Sequence, residues 1–281
     1  MSQSHTLLQR GLHHPSFMIG AILSLALISC ALVSFVWTPW SPYEMNMEAK
    51  LLPPSPQFWM GTDAFGRDVL SQIMVGARSS IAVGLIAVSI GMVFGVSLGL
   101  LAAALRGWVE EIIMRLSDFT FAFPAILSAI MMTAVFGPSM VNAIVAIGIF
   151  NIPTFARITR ASANAVWTRE YILAARACGK HRLSITLQHI LPNIFGVLIV
   201  QATIQFALAI LAEAALSYLG LGTQPPQPSW GRMLSDAQTL MFQAPMLAIF
   251  PGVAIALSVL GLNLLGDGLR DVLDPRLARQ R

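Results

Sequence analysis

Long stretches without a single Asp, Glu, Lys or Arg dominate this 281-residue chain and constrain its fold more than any other feature. Charge-free runs extend from Phe17 to Val36, Ser79 to Leu105, Phe119 to Ala156, Asn193 to Ala212 and Ala244 to Gly266. A helix needs about 20 apolar residues to cross a hydrocarbon core. The third run is too long for one crossing and carries Gly137-Pro138 near its middle, where a reversal costs least. It reads as two helices, so six crossings are expected. Backbone groups in lipid must be satisfied within the segment or in a closed barrel, and runs this long and apolar choose helices. The expected fold class is all-α, a polytopic membrane protein.

Composition agrees. Only 11% of the residues are charged and 56% are apolar, whereas a soluble domain is about 25% charged. The net charge of +4 does not point to nucleic acid, because the basic residues alternate with spans and form no aromatic-interleaved patch. With the N-terminus placed in the cytoplasm, all the Lys and Arg except Lys50, Arg67, Arg78 and Arg232 fall inside, as the positive-inside rule requires. Both termini are then cytoplasmic. The segments are a tail over 1–16, a first span over 17–38, an outer loop over 39–78, a five-helix core over 79–266 with a cytoplasmic loop at 157–192, and a tail over 267–281. The first run exceeds a signal-peptide core in length and lacks a small-x-small cleavage site after it. Cys30 in a span and Cys178 in a cytoplasmic loop cannot pair.

Small residues carry the second signal. Ala87, Gly91, Gly95 and Gly99 recur at four-residue spacing and form one helix stripe, which lets another helix approach closely where lipid supplies no hydrophobic drive. In the loop at 157–192, Glu170 to Cys178 contains Ala174, Ala175 and Ala177 around Arg176, and Gly179 follows as a helix stop. A second amphipathic piece carries Leu183, Leu187, Ile190 and Leu191. Pro192 follows in the first turn of the next span, where its missing N–H costs nothing. Two short helices lying across the inner membrane face are expected.

Few residues suggest chemistry. Glu213 lies near the outer end of the fifth span, with Gln201 and Gln205 on roughly the same side of the helix. A charge at membrane depth faces the bundle interior or water. These three either line a translocation path or hydrogen-bond between helices. Asp63, Arg67 and Asp68 lack the spacing of a calcium loop and suit turns and ion pairs. His5, His13, His14, His181 and His189 form no metal-ligand pattern, and the 14 methionines suit gap filling. No nucleophile–base pair lies in the spans, and a secondary transporter would need an inverted repeat and more intramembrane charges. Neither a metal nor a cofactor is expected. No G-x-x-x-x-G-K-[ST] sequence cradles a nucleotide, so any ATP-derived work must come from a separate chain.

One family accounts for the rest. Leu173-Ala174-Ala175, Gly179 and His189-Ile190-Leu191-Pro192 resemble the EAA motif of ABC importer permeases, with Leu173 in place of its Glu and His189 in place of an Ile. Gly61-Thr62-Asp63, Gly66-Arg67-Asp68, Gly76-Ala77-Arg78, Ser217-Tyr218-Leu219-Gly220-Leu221-Gly222, Pro225-Pro226, Trp230-Gly231, Gly266-Asp267-Gly268-Leu269-Arg270-Asp271 and Leu273-Asp274-Pro275 are similar to the dipeptide, oligopeptide and nickel branch. The resemblance implies a type I importer permease fold in a bacterial inner membrane. It also implies a homologous second permease, two cytoplasmic ATP-binding subunits and an extracytoplasmic solute-binding protein as partners, with lipid around them. Glu170, Ala174, Ala175, Arg176, Gly179, Leu191 and Pro192 would form the ATPase-coupling element. From spacing alone, the alanines could equally serve only as helix formers and Gly179 only as a cap. Peptide is the expected cargo, and nickel or another complexed solute is the alternative.

Overall fold

A computed structural model describes residues 14–273. The cationic residues Arg10, Arg276, Arg279 and Arg281, and also His5 and His13, lie outside the described residues. The described residues are helical apart from loops and one isolated bridge between Thr62 and Asp68. We number the helices α1 (Pro15–Val36), α2 (Val69–Leu105), α3 (Gly107–Ala122), α4 (Ala125–Phe136), α5 (Met140–Trp167), α6 (Glu170–Ala177), α7 (Arg182–Tyr218), α8 (Trp230–Ala237) and α9 (Met246–Leu273). Five of these (α1, α2, α5, α7 and α9) are long and apolar enough to cross a membrane, and α3 with α4 make a sixth if the bent pair is one span.

The centre is the contact of α2 with α5, and it is made by absent side chains. A Cβ on Gly91 would strike Asn151, one on Gly95 would lie 2.6 Å from the Phe155 Cβ, and one on Gly99 2.6 Å from the Thr159 Cβ. Ala87 is fully buried in the same row. Helix α1 runs antiparallel to α9 by the same device: Gly20 meets the backbone of Leu264 and Leu265, and Gly268 meets that of Phe17. His14 Nε2 lies 3.2 Å from Asp271 Oδ2 at one end of that pair.

Several boundaries differ from the sequence reading. The second long helix starts at Val69 rather than Ser79, because Asp68 caps it: its carboxylate accepts from the Ser71 amide at 2.8 Å and the Ser71 hydroxyl at 2.6 Å. Arg78, which looked like a span boundary, sits inside the helix. Its charge is held by the end of α1, with Nε donating to Ser34 Oγ at 2.6 Å and the guanidinium 4.2 Å from the Phe35 ring centroid. The loop at 157–192 begins as helix, since α5 continues to Trp167. Arg157 and Arg160 in that extension pair with Asp118 and Glu110 of α3. Helix α9 likewise runs past Gly266 to Leu273. The third apolar run reverses at Gly137-Pro138 as expected. It also breaks at Phe123-Pro124, where α3 and α4 meet at 82°, because Pro124 has no N–H to continue a ladder.

Pro192 is not at an isolated helix start. It lies in a continuous helix from Arg182 to Tyr218, preceded by a π-helical turn at Thr186–Ile190 in which the Leu191 amide reaches back to the Thr186 carbonyl. That wider turn absorbs the proline without a break, and Asn193 Nδ2 donates to the His189 carbonyl at 2.7 Å.

Candidate functional site

Helix α6 is short, but its end is fully specified. The Lys180 amide donates to the Ala175 carbonyl at 3.1 Å and the Gly179 amide to the Arg176 carbonyl at 3.0 Å, the bond pair of a Schellman cap. Gly179 takes φ +79° to make it, a conformation that costs other L-residues about 1–2 kcal/mol. A Cβ there would meet nothing within 4 Å. Within this chain, glycine is needed for its backbone angle, and the space in front of it is free.

The helix has two unlike faces. Ile172 is fully buried and packs in one cluster with Val166, Trp167, Ile185, Ile190 and Ile194, so α6 is keyed to the ends of α5 and α7. Tyr171, Leu173, Ala174, Arg176 and Glu170 are exposed, and Ala175 is half-buried. Leu173, where the motif carries Glu, is 50% exposed, and with Leu183 and Leu187 it gives this end of the molecule uncovered apolar side chains. Next to them, Lys180 Nζ lies 3.0 Å from His189 Nε2, and the Tyr171 and His189 rings meet edge to face. Leu191 is half-buried against the Ile172 cluster and Pro192 is exposed. The sequence-predicted residues thus lie on α6, in the turn after it at Gly179 and in the first turns of α7, with Ile172, which the sequence reading passed over, joining them. Its position two residues before Ala174 and three before Ala175, on the opposite side of the helix from Ala174 and on the same side as half-buried Ala175, is the signal that could have found it.

Gln201, Gln205 and Glu213 do not share an open face. Gln201 is half-buried, Gln205 is 6% exposed and Glu213 is 1% exposed. Glu213 Oε1 accepts from the Ser217 hydroxyl at 2.7 Å and the Thr223 hydroxyl at 3.3 Å, while Ser217 Oγ also accepts from the Thr223 amide at 3.0 Å. The carboxylate therefore ties the end of α7 to the loop that leads to α8. Trp230, the first residue of α8, fills the space above Gly76 and donates its indole N–H to the Ile73 carbonyl at 3.0 Å. Gly231 lies against Ala214, where a Cβ would come 2.7 Å from the Ala214 Cα.

The segment before α2 is an ordered lobe. Asp63 accepts from the Phe65 and Arg67 amides at 2.8 and 2.9 Å, from Arg67 Nε at 2.7 Å and from Gln72 Nε2 at 2.9 Å. This is the turn-and-ion-pair use expected from the sequence. Among the described residues, no group of three or more His, Cys, Asp or Glu side chains could hold a metal ion.

The family model described as "Binding-protein-dependent transport system inner membrane component" matches residues 95–279. The chain is 45% identical to the dipeptide transport system permease protein DppC of Alkalihalophilus pseudofirmus over 259 residues, which is 92% of this chain and 85% of that one. It is 47% identical to the glutathione transport system permease protein GsiD of Pectobacterium atrosepticum over 224 residues, 80% of this chain and 74% of that one. It is 41% identical to the di/tripeptide transport system permease protein DppC of Pseudomonas aeruginosa, covering 94% of this chain and 89% of that one. Among solved structures, the MetNI methionine ABC transporter in inward-facing conformations matches with a TM-score of 0.62 at 19% identity, over 72% of this chain and 97% of that one. That likeness carries the fold.

Proposed function

The chain belongs to the binding-protein-dependent transport system inner membrane component family, and from that membership we propose that it is a permease subunit of an ATP-driven importer that moves di- and oligopeptides across a bacterial inner membrane. It pairs with a homologous second permease. Two cytoplasmic ATP-binding subunits drive it, and an extracytoplasmic solute-binding protein delivers the cargo. Both termini are cytoplasmic, in keeping with the distribution of Lys and Arg. Peptide is favoured over nickel by the identity to permeases named for dipeptide, di/tripeptide and glutathione transport.

The observation that carries the coupling role is the division of α6 into a buried key and a free face. Ile172 fixes the helix to α5 and α7, while Ala174, Arg176 and Gly179 stay open on the side assigned to the cytoplasm. A groove on an ATP-binding subunit can approach the small residues Ala174 and Gly179 closely. Closure of that subunit would displace α6 as a rigid piece and, through Ile172, Ile185 and Ile190, tilt the two spans attached to it.

Reconstitution tests the whole reading. With its second permease, ATP-binding subunits and binding protein in proteoliposomes, the chain should support ATP-dependent uptake of a labelled dipeptide and not of Ni²⁺. Nickel uptake without peptide uptake would overturn the substrate assignment. Uptake that persists without the ATP-binding subunits would overturn the mechanism.

A further inference from the structure

The far end of α6 is tied to α7 by one side-chain pair. Ile172 is the one buried residue of α6 and lies in its first turn, while from Leu173 to Lys180 every residue except half-buried Ala175 is exposed. The chain leaves the helix through Gly179, where a Cβ would meet nothing within 4 Å. A helix pinned near its start and jointed just past its end can pivot about the pin. Force on its exposed face would then turn α6 without moving α7.

Lys180 stands against that pivot. Its amide closes the cap on the Ala175 carbonyl at 3.1 Å. Its ammonium has only protons to give, and it donates to His189 Nε2 at 3.0 Å. One residue therefore joins the end of α6 to α7, through its backbone on one side and its side chain on the other. Tyr171, in the first turn of α6, meets the same imidazole edge to face with ring centroids 6.5 Å apart, within the range of favourable aromatic pairs. His189 thus meets α6 at its start and just past its end, while Ile185 and Ile190 hold Ile172 from the buried side.

His189 is itself a fixed post. It is half-buried in the π-helical turn Thr186–Ile190, its carbonyl accepts from Asn193 Nδ2 at 2.7 Å, and Ile190 beside it is fully buried. The Thr186 hydroxyl donates to the Arg182 carbonyl at 2.9 Å, and Arg182 Nη1 donates to the Ala104 carbonyl at the end of α2 at 3.0 Å. The turn that carries the imidazole is therefore anchored to its own helix and, through Arg182, to a second span.

We propose that His189 is a positioning residue for coupling: it holds Lys180 and Tyr171 so that α6 cannot pivot about Ile172, and displacement of α6 by an ATP-binding subunit passes to α7 undiminished. The inference rests on the reading of α6 as the docking helix and adds a residue that this reading leaves out.

The ATP hydrolysed per dipeptide taken up, measured in proteoliposomes of the complete transporter, tests it. Loss of folded transporter lowers hydrolysis and uptake together and leaves this ratio unchanged, whereas a slack α6 lets hydrolysis proceed without uptake. His189→Ala should raise the ratio about fivefold, the weight of one hydrogen bond. His189→Gln, whose side-chain carbonyl can accept from Lys180, should bring it back to within about twofold of wild type. Lys180→Met, at an exposed position where substitution scarcely affects folding, should match His189→Ala, and the double variant should be no worse than either, because both changes remove the same bond. A wild-type ratio in either single variant would overturn the proposal. Photocrosslinking from Ala174→Cys to an ATP-binding subunit is scored in parallel. A crosslink retained in His189→Ala together with a wild-type ratio overturns the role of His189 and leaves docking of α6 standing, whereas no crosslink even with His189 present overturns the docking itself. A crosslink lost only in His189→Ala would also overturn the proposal, since His189 would then belong to the docking surface.

Discussion

The Lys180 amide closes on the Ala175 carbonyl at 3.1 Å, and the loop that makes this possible turns through Gly179 at φ +79°. Gly179→Asn should therefore keep the cap, because Asn tolerates the left-handed region, and leave folding within about 0.5 kcal/mol of wild type. Gly179→Trp should insert into the membrane with only the strain cost, about 1–2 kcal/mol, since its Cβ meets nothing in this chain, and yet abolish uptake. Thermal melts in detergent beside uptake assays check both. A Gly179→Trp transporter with normal uptake would remove the case for close docking.

Helix packing makes a different prediction at Gly95. A side chain there drives into Ile152 and Phe155 of α5, so Gly95→Val should destabilise the bundle by about 1–3 kcal/mol. Gly252→Ala, with nothing within 4 Å of its Cβ, should lose no more than about 1 kcal/mol to packing changes. Equal melting temperatures for the two variants would contradict a tight α2–α5 contact.

Glu213 should matter through the loop that follows α7. Glu213→Ala leaves the Ser217 and Thr223 hydroxyls without their shared acceptor, a loss of about 1–3 kcal/mol. Glu213→Gln keeps an oxygen for both. Hydrogen exchange over residues 219–229 should accelerate in the Ala variant and stay near wild type in the Gln variant. Faster exchange in both would mean that the charge itself holds the loop.

The lobe before α2 should depend on Asp63. Removing its carboxylate strands Arg67, Gln72 and two amides, and hydrogen bonds to a charged group contribute about 1.5–3 kcal/mol each. Asp63→Ala should expose the segment at 37–68 to added protease, with Asp63→Asn intermediate. Resistance equal to wild type would show that the lobe is held elsewhere.

What the sequence shows and what it hides follow from how local each cause is. The end of α6 is legible because a left-handed turn leaves a glycine at a fixed place, and the Gly91, Gly95, Gly99 stripe is legible because helix contact without a Cβ writes a four-residue period. The start of α2 is hidden because Arg78 looks like a boundary until Ser34 and Phe35, far back in the chain, are seen to hold it. The elbow at Phe123 lies in a run with no charge to mark it, and Pro124 alone does not distinguish a kink from a break. The Glu213 network and the Trp230 bond to Ile73, 157 residues away, depend on tertiary folding that no local pattern records.

Crosslinking from Ala174 bears most directly on how work reaches the spans. With Cys30 and Cys178 replaced by Ser, Ala174→Cys carrying a short photoactivatable group should crosslink to an ATP-binding subunit in the assembled transporter, and the yield should change when ATP is added. Adducts with lipid alone, or labelling of Ala174→Cys only from the extracytoplasmic side, would contradict entry of ATP-driven force through α6.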